Sequence, residues 1–438
     1  MCNRSSLRCA ILLVLVAALA ATAGFYSGSA VSKRPYVNSA IIPVQRTDVG
    51  MAEQQHGNHL RLKEGKVDML FVGDSITMYW NVHGKKVWDN YYGKRNPLNL
   101  GIGGDQTQNV LWRLDDLNLE DIQPKLAVVM IGTNNSHNNT AAEMAEGVEA
   151  VVKRLRTRLP MMRILLLAIF PRGDVEAAKL QKLRDASAKF GSAVSFDPMV
   201  EYMDIGKIFL NDKGEVTEDI MFDLLHLSEK GYALEAEALE PTITRLLAMA
   251  DGWTPLFNAK DFSGWEAVGD KSTWHEKGGV LYTEDGGNAW LSTDKEYGDF
   301  DLSLEFRVPK GGNGGVIIRA PRTGDPAVEG SRIQVIDDYD ELNKDLKPHE
   351  HSGSVYATIP AAPRASKPFG EWQKMDIHMQ GQKIAITLNG TRVVDGDMDG
   401  HMDMVNDHPG LRRQSGHIGL QGQSGGFEYR NVLIREIK

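Results

Sequence analysis

The chain has 438 residues, 42% of them hydrophobic and 24% charged, with 44 Gly, 17 Pro and 2 Cys. That length suits two or three domains, each able to bury its own core, and the composition excludes collagen-like, disordered and disulfide-dense classes. Lys+Arg total 49 against 58 Asp+Glu, a net charge of −9 that lacks the basic footprint a nucleic-acid partner would need.

Arg4 and Arg8 precede an apolar run over residues 10–23, and small residues follow at Ala21-Thr22-Ala23 and Gly28-Ser29-Ala30. This pattern predicts a signal peptide over 1–30. No charge occurs between Cys9 and Ser32, so a retained N-terminal anchor is the alternative and the only expected contact with a membrane. Either way the body is expected to be exported: periplasmic, extracellular or on the cell surface. Cys2 and Cys9 both lie in this leader, and cleavage after Ala30 removes disulfide, thiolate and Cys-ligated zinc chemistry from the mature chain. Residues 31–54 read as a linker or lead-in.

Over residues 55–250, short apolar runs alternate with helical patterns. Runs at 67–72, 126–131 and 164–169 read as fully buried strands, with 192–196 a weaker fourth; helical spacing covers 141–159, 175–190 and 228–249. Continuous apolar strands between amphipathic helices predict an α/β domain, a parallel sheet covered on both faces. In such sheets chemistry sits at the carboxyl ends of the strands.

Four segments at those ends carry chemical potential. Gly73-Asp74-Ser75 ends the first strand, with Ile76-Thr77 opening a helix whose N–H groups suit a developing oxyanion. Alone, this tripeptide is equally a helix cap. Gly101-Ile102-Gly103-Gly104-Asp105 lets backbone approach a ligand closely. Gly132-Thr133-Asn134-Asn135 places a side-chain amide after the second strand, and Asp223-Leu224-Leu225-His226 pairs a carboxylate with an imidazole suited to general-base work.

In this order the four blocks resemble the SGNH (GDSL-type) hydrolase superfamily across roughly residues 55–248. The stretch 99–114, with Gly132-Thr133-Asn134-Asn135, Pro171-Arg172-Gly173 and Met221-Phe222-Asp223, is similar to the catalytic subunits of the type I platelet-activating-factor acetylhydrolases. The resemblance implies a flavodoxin-like fold, Ser75 as nucleophile, His226 as acid and base, and Asp223 orienting His226. It also implies an oxyanion hole from the N–H groups of Ser75 and Gly104 with the Asn134 amide, and no metal or other cofactor. Ile76 stands where the family name has Leu, and Asn135 where Asp is common.

Packing is the default for Trp80, Trp88 and Trp112. His83 is a candidate for the entrance, and His137 follows Asn134 closely. Lys153, Arg154, Arg156 and Arg158 read as a solvated basic face.

From about Thr254 the pattern changes. Twenty-six of the 44 glycines lie in 251–438, and alternating segments such as 300–306 and 383–388 are separated by Gly- and Asn-rich turns. This predicts an all-β sandwich or jelly roll. The motifs Phe262-Ser263-Gly264-Trp265, Gly311-Gly312-Asn313-Gly314-Gly315-Val316 and Phe369-Gly370-Glu371-Trp372 resemble the 3-keto-disaccharide hydrolase domain family over 254–438. That resemblance implies a concanavalin-like jelly roll linked to carbohydrate and, in the family, to cleavage of 3-keto-glycosides.

Glu305, Arg319, Gln334 and Asp337 are polar positions on expected strands and candidates for a sugar site on a concave sheet face; solvent-facing alternation is the competing reading. Tyr356, Trp290 and Trp372 are candidates for stacking on sugar, with packing the default. His349-Glu350-His351 reads as loop rather than metal site.

The expectation is therefore an exported serine esterase acting on an acylated carbohydrate or another small ester, fused to a domain that binds sugar or cleaves it in a second activity. The alternatives are a lipid or platelet-activating-factor-like acetylhydrolase and a glycan-binding surface protein with an inactive hydrolase domain.

Overall fold

The computed structural model describes residues 37–437 except 285, 286 and 288. The expected leader and both cysteines lie outside the described residues.

The first half builds a five-stranded parallel sheet from β1 (Met69–Gly73), β2 (Pro97–Asn99), β3 (Leu126–Met130), β4 (Arg163–Leu167) and β5 (Val200–Met203), in the order β2-β1-β3-β4-β5. Neighbouring residues along each strand point to opposite faces, and both faces are apolar. Leu70, Val72, Val129 and Leu166 pack under α4 (Thr107–Asp116), α5 (Ala141–Arg158) and α6 (Ala177–Val194). Phe71, Val128 and Leu165 pack on the opposite side, with Trp88 and Tyr232. Those two residues belong to α3 (Lys85–Tyr91) and α7 (Glu229–Ala250). Two further helices belong to this half: α1 (Val49–Lys63) precedes the sheet and the single-turn α2 (Ser75–Met78) follows β1. The flavodoxin-like order reverses between β1 and β3, so the crevice at their carboxyl ends is where such folds bind ligands.

Two expectations change here. Residues 192–196 do not form a strand. Ala186, Phe190 and Val194 keep helical spacing and are buried, which extends α6 to Val194, whereas Phe196 is 90% exposed; the strand comes later, as β5. Residues 38–54 are not a linker: Asp48 caps α1, accepting from the Met51 N–H, and residues 38–44 lie hydrogen-bonded along α4 and α5.

The second half is antiparallel throughout. It runs through β6 (Thr254–Pro255), β7 (Trp265–Val268), β8 (Trp274–Lys277), β9 (Val280–Thr283), β10 (Trp290–Tyr297), β11 (Phe300–Arg307) and β12 (Asn313–Ala320). It continues through β13 (Ser331–Ile336), β14 (Trp372–Gln380), β15 (Lys383–Leu388), β16 (Thr391–Asp397), β17 (Gly416–Gly422) and β18 (Glu428–Glu436). One sheet is ordered β13-β12-β17-β10-β7. The other is β16-β15-β14-β11-β18-β9-β8, with β6 pairing β18. Strict alternation along β11 sends Phe300, Leu302, Leu304 and Phe306 inward to meet Val316, Ile318 and Val335 of the facing sheet. This is the jelly roll that the alternating segments predict.

The halves meet directly. Thr254 and Pro255 add to β18 at Ile434 and Leu433, the Arg435 guanidinium lies 5.0 Å from the Trp253 ring centre, and β18 runs against α7.

Candidate active site

Gly73 closes β1 where only glycine fits, because a Cβ there would stand 2.1 Å from Thr77 Oγ1 and 2.3 Å from the Met130 carbonyl. The chain therefore turns into α2 hard against β3, and Ser75 emerges at the switch point. Asp74 is fully buried and accepts from the Ile76 N–H at 3.0 Å; burial pushes its carboxyl up to about 7. Tyr232 ties down the same turn by donating to the Ile76 carbonyl at 2.5 Å. α2 is a single turn, so its N–H groups rather than a long helix dipole face the crevice.

His226 sits in a tight loop ahead of α7. Met221 and Leu227 bridge across it, Phe222 donates to the His226 carbonyl, and Leu224 takes φ +62°. His226 Nε2 is 2.8 Å from Ser75 Oγ, and His226 Nδ1 is 2.6 Å from Asp223 Oδ2. Asp223 Oδ1 accepts from the N–H groups of Leu225 and His226. Partial burial works upward on the Asp223 carboxyl, but the imidazole and the two backbone donors outweigh it and hold it below the usual carboxylate value. An ionised carboxylate only accepts, so Nδ1 carries the proton and Nε2 is free to accept from the serine hydroxyl.

The glycine loop closes the other side. A Cβ on Gly103 would lie 3.9 Å from Ser75 Cβ, and Gly104 holds φ +78°, a conformation glycine adopts without strain. Asn134 Nδ2 donates to the Asp105 carbonyl at 2.9 Å, leaving its second hydrogen for a ligand. Ser75, Asp223 and His226 thus form one hydrogen-bonded chain, and Gly104 and Asn134 are joined through Asp105.

Residues 71–234 match the GDSL-like lipase/acylhydrolase family. Platelet-activating factor acetylhydrolase IB subunit alpha2 of Rattus norvegicus is 38% identical over 218 residues, which cover 48% of this chain and 92% of that protein. The chain belongs to the GDSL-like acylhydrolase family. The alpha1 subunit of Homo sapiens is 35% identical over 190 residues, covering 43% of this chain and 81% of that protein. The structure of a GDSL-like lipase from Bacteroides thetaiotaomicron is 14% identical, with a TM-score of 0.38, covering 46% of this chain and 99% of that one. Residues 252–435 of this GDSL-like acylhydrolase match the 3-keto-alpha-glucoside-1,2-lyase-like domain. Its chemistry is that of an ester-hydrolysing hydrolase.

Several residues around the acylhydrolase site acquire a role only through the fold. Asp105 is fully buried between Arg113 at 2.7 Å and Arg46 at 2.9 Å. Burial pushes its carboxyl up and the arginines oppose that. Arg172 chelates Asp174 and donates to Thr133 Oγ1 at 3.2 Å, bracing the turn that carries Asn134. Tyr79 meets the His226 ring edge-on at 4.9 Å, and the exposed Phe222 stacks beside it. His83 lies 4.6 Å from Phe222 at this rim, while His137 faces Lys179. Phe222 directly precedes the D-x-x-H motif of residues 223–226, whereas nothing local signals Arg46. Arg154, Arg156 and Arg158 pair with Asp115, Asp197 and Glu120, which makes that face a set of ion pairs.

The second-half candidates do not converge. Glu305 faces outward from the other sheet, bonded to Arg430 and Asn431 beside Thr244 and Ala248 of α7. Arg319 is buried at the end of β12, donating to the carbonyls of Gly298, Gly381 and Arg413 and pairing with Asp299. Asp337 accepts from the Gly311 and Tyr339 N–H groups. Alternation predicts which residues leave the core but not which sheet carries them. Gln334 alone of the four shares a cross-strand row with a second glutamine: it pairs in register with Gly315, Gly315 with Gln421, and Gln421 with Trp290. Both glutamine Oε1 atoms and Arg332 Nε there are buried without a hydrogen-bond partner. Trp372 is packed against Arg307 and Arg430, Tyr356 against Arg332, and His351 against Asp338 and Arg364.

Proposed function

We propose that this acylhydrolase is an exported serine esterase that removes acetyl groups from a glycan through an acyl-enzyme on Ser75. The observation that carries the reading is the hydrogen-bonded chain Ser75–His226–Asp223 at the sheet's switch point.

His226 Nε2 takes the hydroxyl proton as Ser75 Oγ attacks the ester carbon. The charge that develops on the carbonyl oxygen is met by the N–H groups of Ser75 and Gly104 and by Asn134. The imidazolium, steadied by Asp223, returns its proton to the departing sugar oxygen and leaves acetyl-Ser75. Water then attacks with His226 again as base, releasing acetate and restoring the serine. Every step uses the chain's own groups and water.

A sugar as the alcohol half is supported by the match of the second half to a 3-keto-alpha-glucoside-1,2-lyase-like domain and by its buried, unpartnered Gln334, Gln421 and Arg332 atoms. In this reading the second half binds the acylated sugar or cleaves a 3-keto-glycoside. A second reading, a lipid or platelet-activating-factor-like acetylhydrolase, draws on the 38% identity to proteins of that name. The intact hydrogen-bonded chain speaks against a glycan-binding protein with an inactive hydrolase.

Rapid quenching during turnover of an acetyl ester tests the chemistry. Intact-mass and peptide analysis is expected to find acetyl on the Ser75 peptide, and turnover at the parent rate by folded Ser75→Ala would remove the proposal.

A further inference from the structure

Resting on that reading of Ser75, we infer that Arg46, carried on a strap that precedes the family-matched residues 71–234, is a positioning residue for the oxyanion hole.

The strap is built into the fold rather than laid over it. Asn38 Nδ2 donates to the Glu143 carbonyl at 3.1 Å, Thr107 Oγ1 to the Ala40 carbonyl at 2.8 Å, and Asn139 Nδ2 to Ser39 Oγ at 3.0 Å. Val44 exchanges bonds with the α4 side, donating to the Gln108 carbonyl and accepting from Asn109 Nδ2, each at 3.0 Å. Gly147 of α5 leaves the space that admits it, since a Cβ there would stand 2.9 Å from Ala40 Cβ.

These bonds deliver Arg46 to the glycine loop. Its Nη1 donates to the Gly103 carbonyl at 2.5 Å and to Asp105 Oδ1 at 2.9 Å, and its Nε is held by Asp48 Oδ2 at 2.9 Å. The guanidinium lies along Gly104, with Nη1 3.4 Å from where a Cβ would be. Asp105 in turn accepts Asn134 Nδ2 on its carbonyl. One side chain thereby fixes the residues on both sides of the Gly104 N–H and, through Asp105, the Asn134 amide. A planar fork with several donors suits this work, and a lysine ammonium does not reproduce it. Donors aimed at developing charge contribute through their placement, so loosening them raises the barrier more than it weakens ground-state binding.

The test uses the full chain with 4-nitrophenyl acetate as substrate and a boronic acid as transition-state analogue. Arg46→Ala is expected to lower kcat by about tenfold to a hundredfold, the range that slight misplacement of a reacting geometry costs. KM should stay within about twofold, and affinity for the boronic acid should fall in parallel with kcat/KM. Arg46→Lys should recover only part of kcat. Ile42→Ala, exposed on the same strap, should behave as the parent protein. Full kcat in folded Arg46→Ala, or a loss of kcat with unchanged analogue affinity, overturns the inference while leaving the Ser75 reading standing. If Arg46→Ala does not fold, full kcat in Arg46→Lys overturns it. Turnover that survives Ser75→Ala overturns both.

Discussion

Asp223 holds His226 twice, with Oδ2 2.6 Å from the ring Nδ1 and Oδ1 2.7 Å from the backbone N–H of the same residue. The carboxylate thus sets both the loop that carries the imidazole and the tautomer that frees Nε2 for Ser75. Asp223→Asn keeps an oxygen for the backbone donors but loses the acceptor that fixes the tautomer. The expected result is a folded protein whose kcat falls by about 10⁴-fold, as for the analogous change in other serine triads. A folded variant within tenfold of the parent would show that Asp223 does not orient the base.

Asn134→Ala removes an amide whose Nδ2 bonds the Asp105 carbonyl. Loss of one oxyanion donor costs about 10²–10³ in kcat. Steady-state kinetics on a generic acetyl ester should show that loss with little change in KM and an unchanged melting temperature. A rise in KM at constant kcat would place Asn134 in ground-state binding instead.

Glu235 is buried on α7, bonded to Trp80, with Oε2 unpartnered; burial pushes its carboxyl up to about 8. A group raised in the folded state binds its proton more tightly there than in the unfolded chain, so stability falls as pH rises from about 4.5 through about 8. Glu235→Gln should remove that part of the slope and raise the melting temperature relative to the parent at pH 9. Calorimetry at pH 5, 7 and 9 reads the difference directly. Parallel slopes would mean Glu235 is not the group that titrates.

Arg319 satisfies three backbone carbonyls from one buried guanidinium. Truncation to Ala leaves them unpaired inside the second half, at an expected cost of about 3 kcal/mol. Denaturant melts of Arg319→Ala should report lost stability, and sugar affinity of the folded fraction should be unchanged. Lost affinity at full stability would return Arg319 to a sugar site.

Much of this architecture is legible in the sequence, for reasons that differ between the halves. The runs at 69–72, 126–131 and 164–169 are apolar without interruption because β1, β3 and β4 are covered on both faces. The alternation at 300–306 reflects a strand with one face in the core. Ser75, Asp223 and His226 stand at turns whose short spacings survive as motifs. Arg46 does not: it lies 59 residues from Asp105 on a segment without periodicity, and only the fold brings the two together. Glu305 misled for the complementary reason, since period-two spacing sorts residues between faces but not between the two sheets.

Serine-dependent release of acetate from a sugar separates a glycan esterase from a lipid esterase. It is measured as acetate released from acetylated xylan and acetylated oligosaccharides, run beside Ser75→Ala and a short-chain phospholipid ester. Release from the sugars that disappears in Ser75→Ala is the predicted result. Ser75-dependent hydrolysis of the phospholipid ester with none from the sugars would contradict the glycan assignment and transfer the same chemistry to lipid esters.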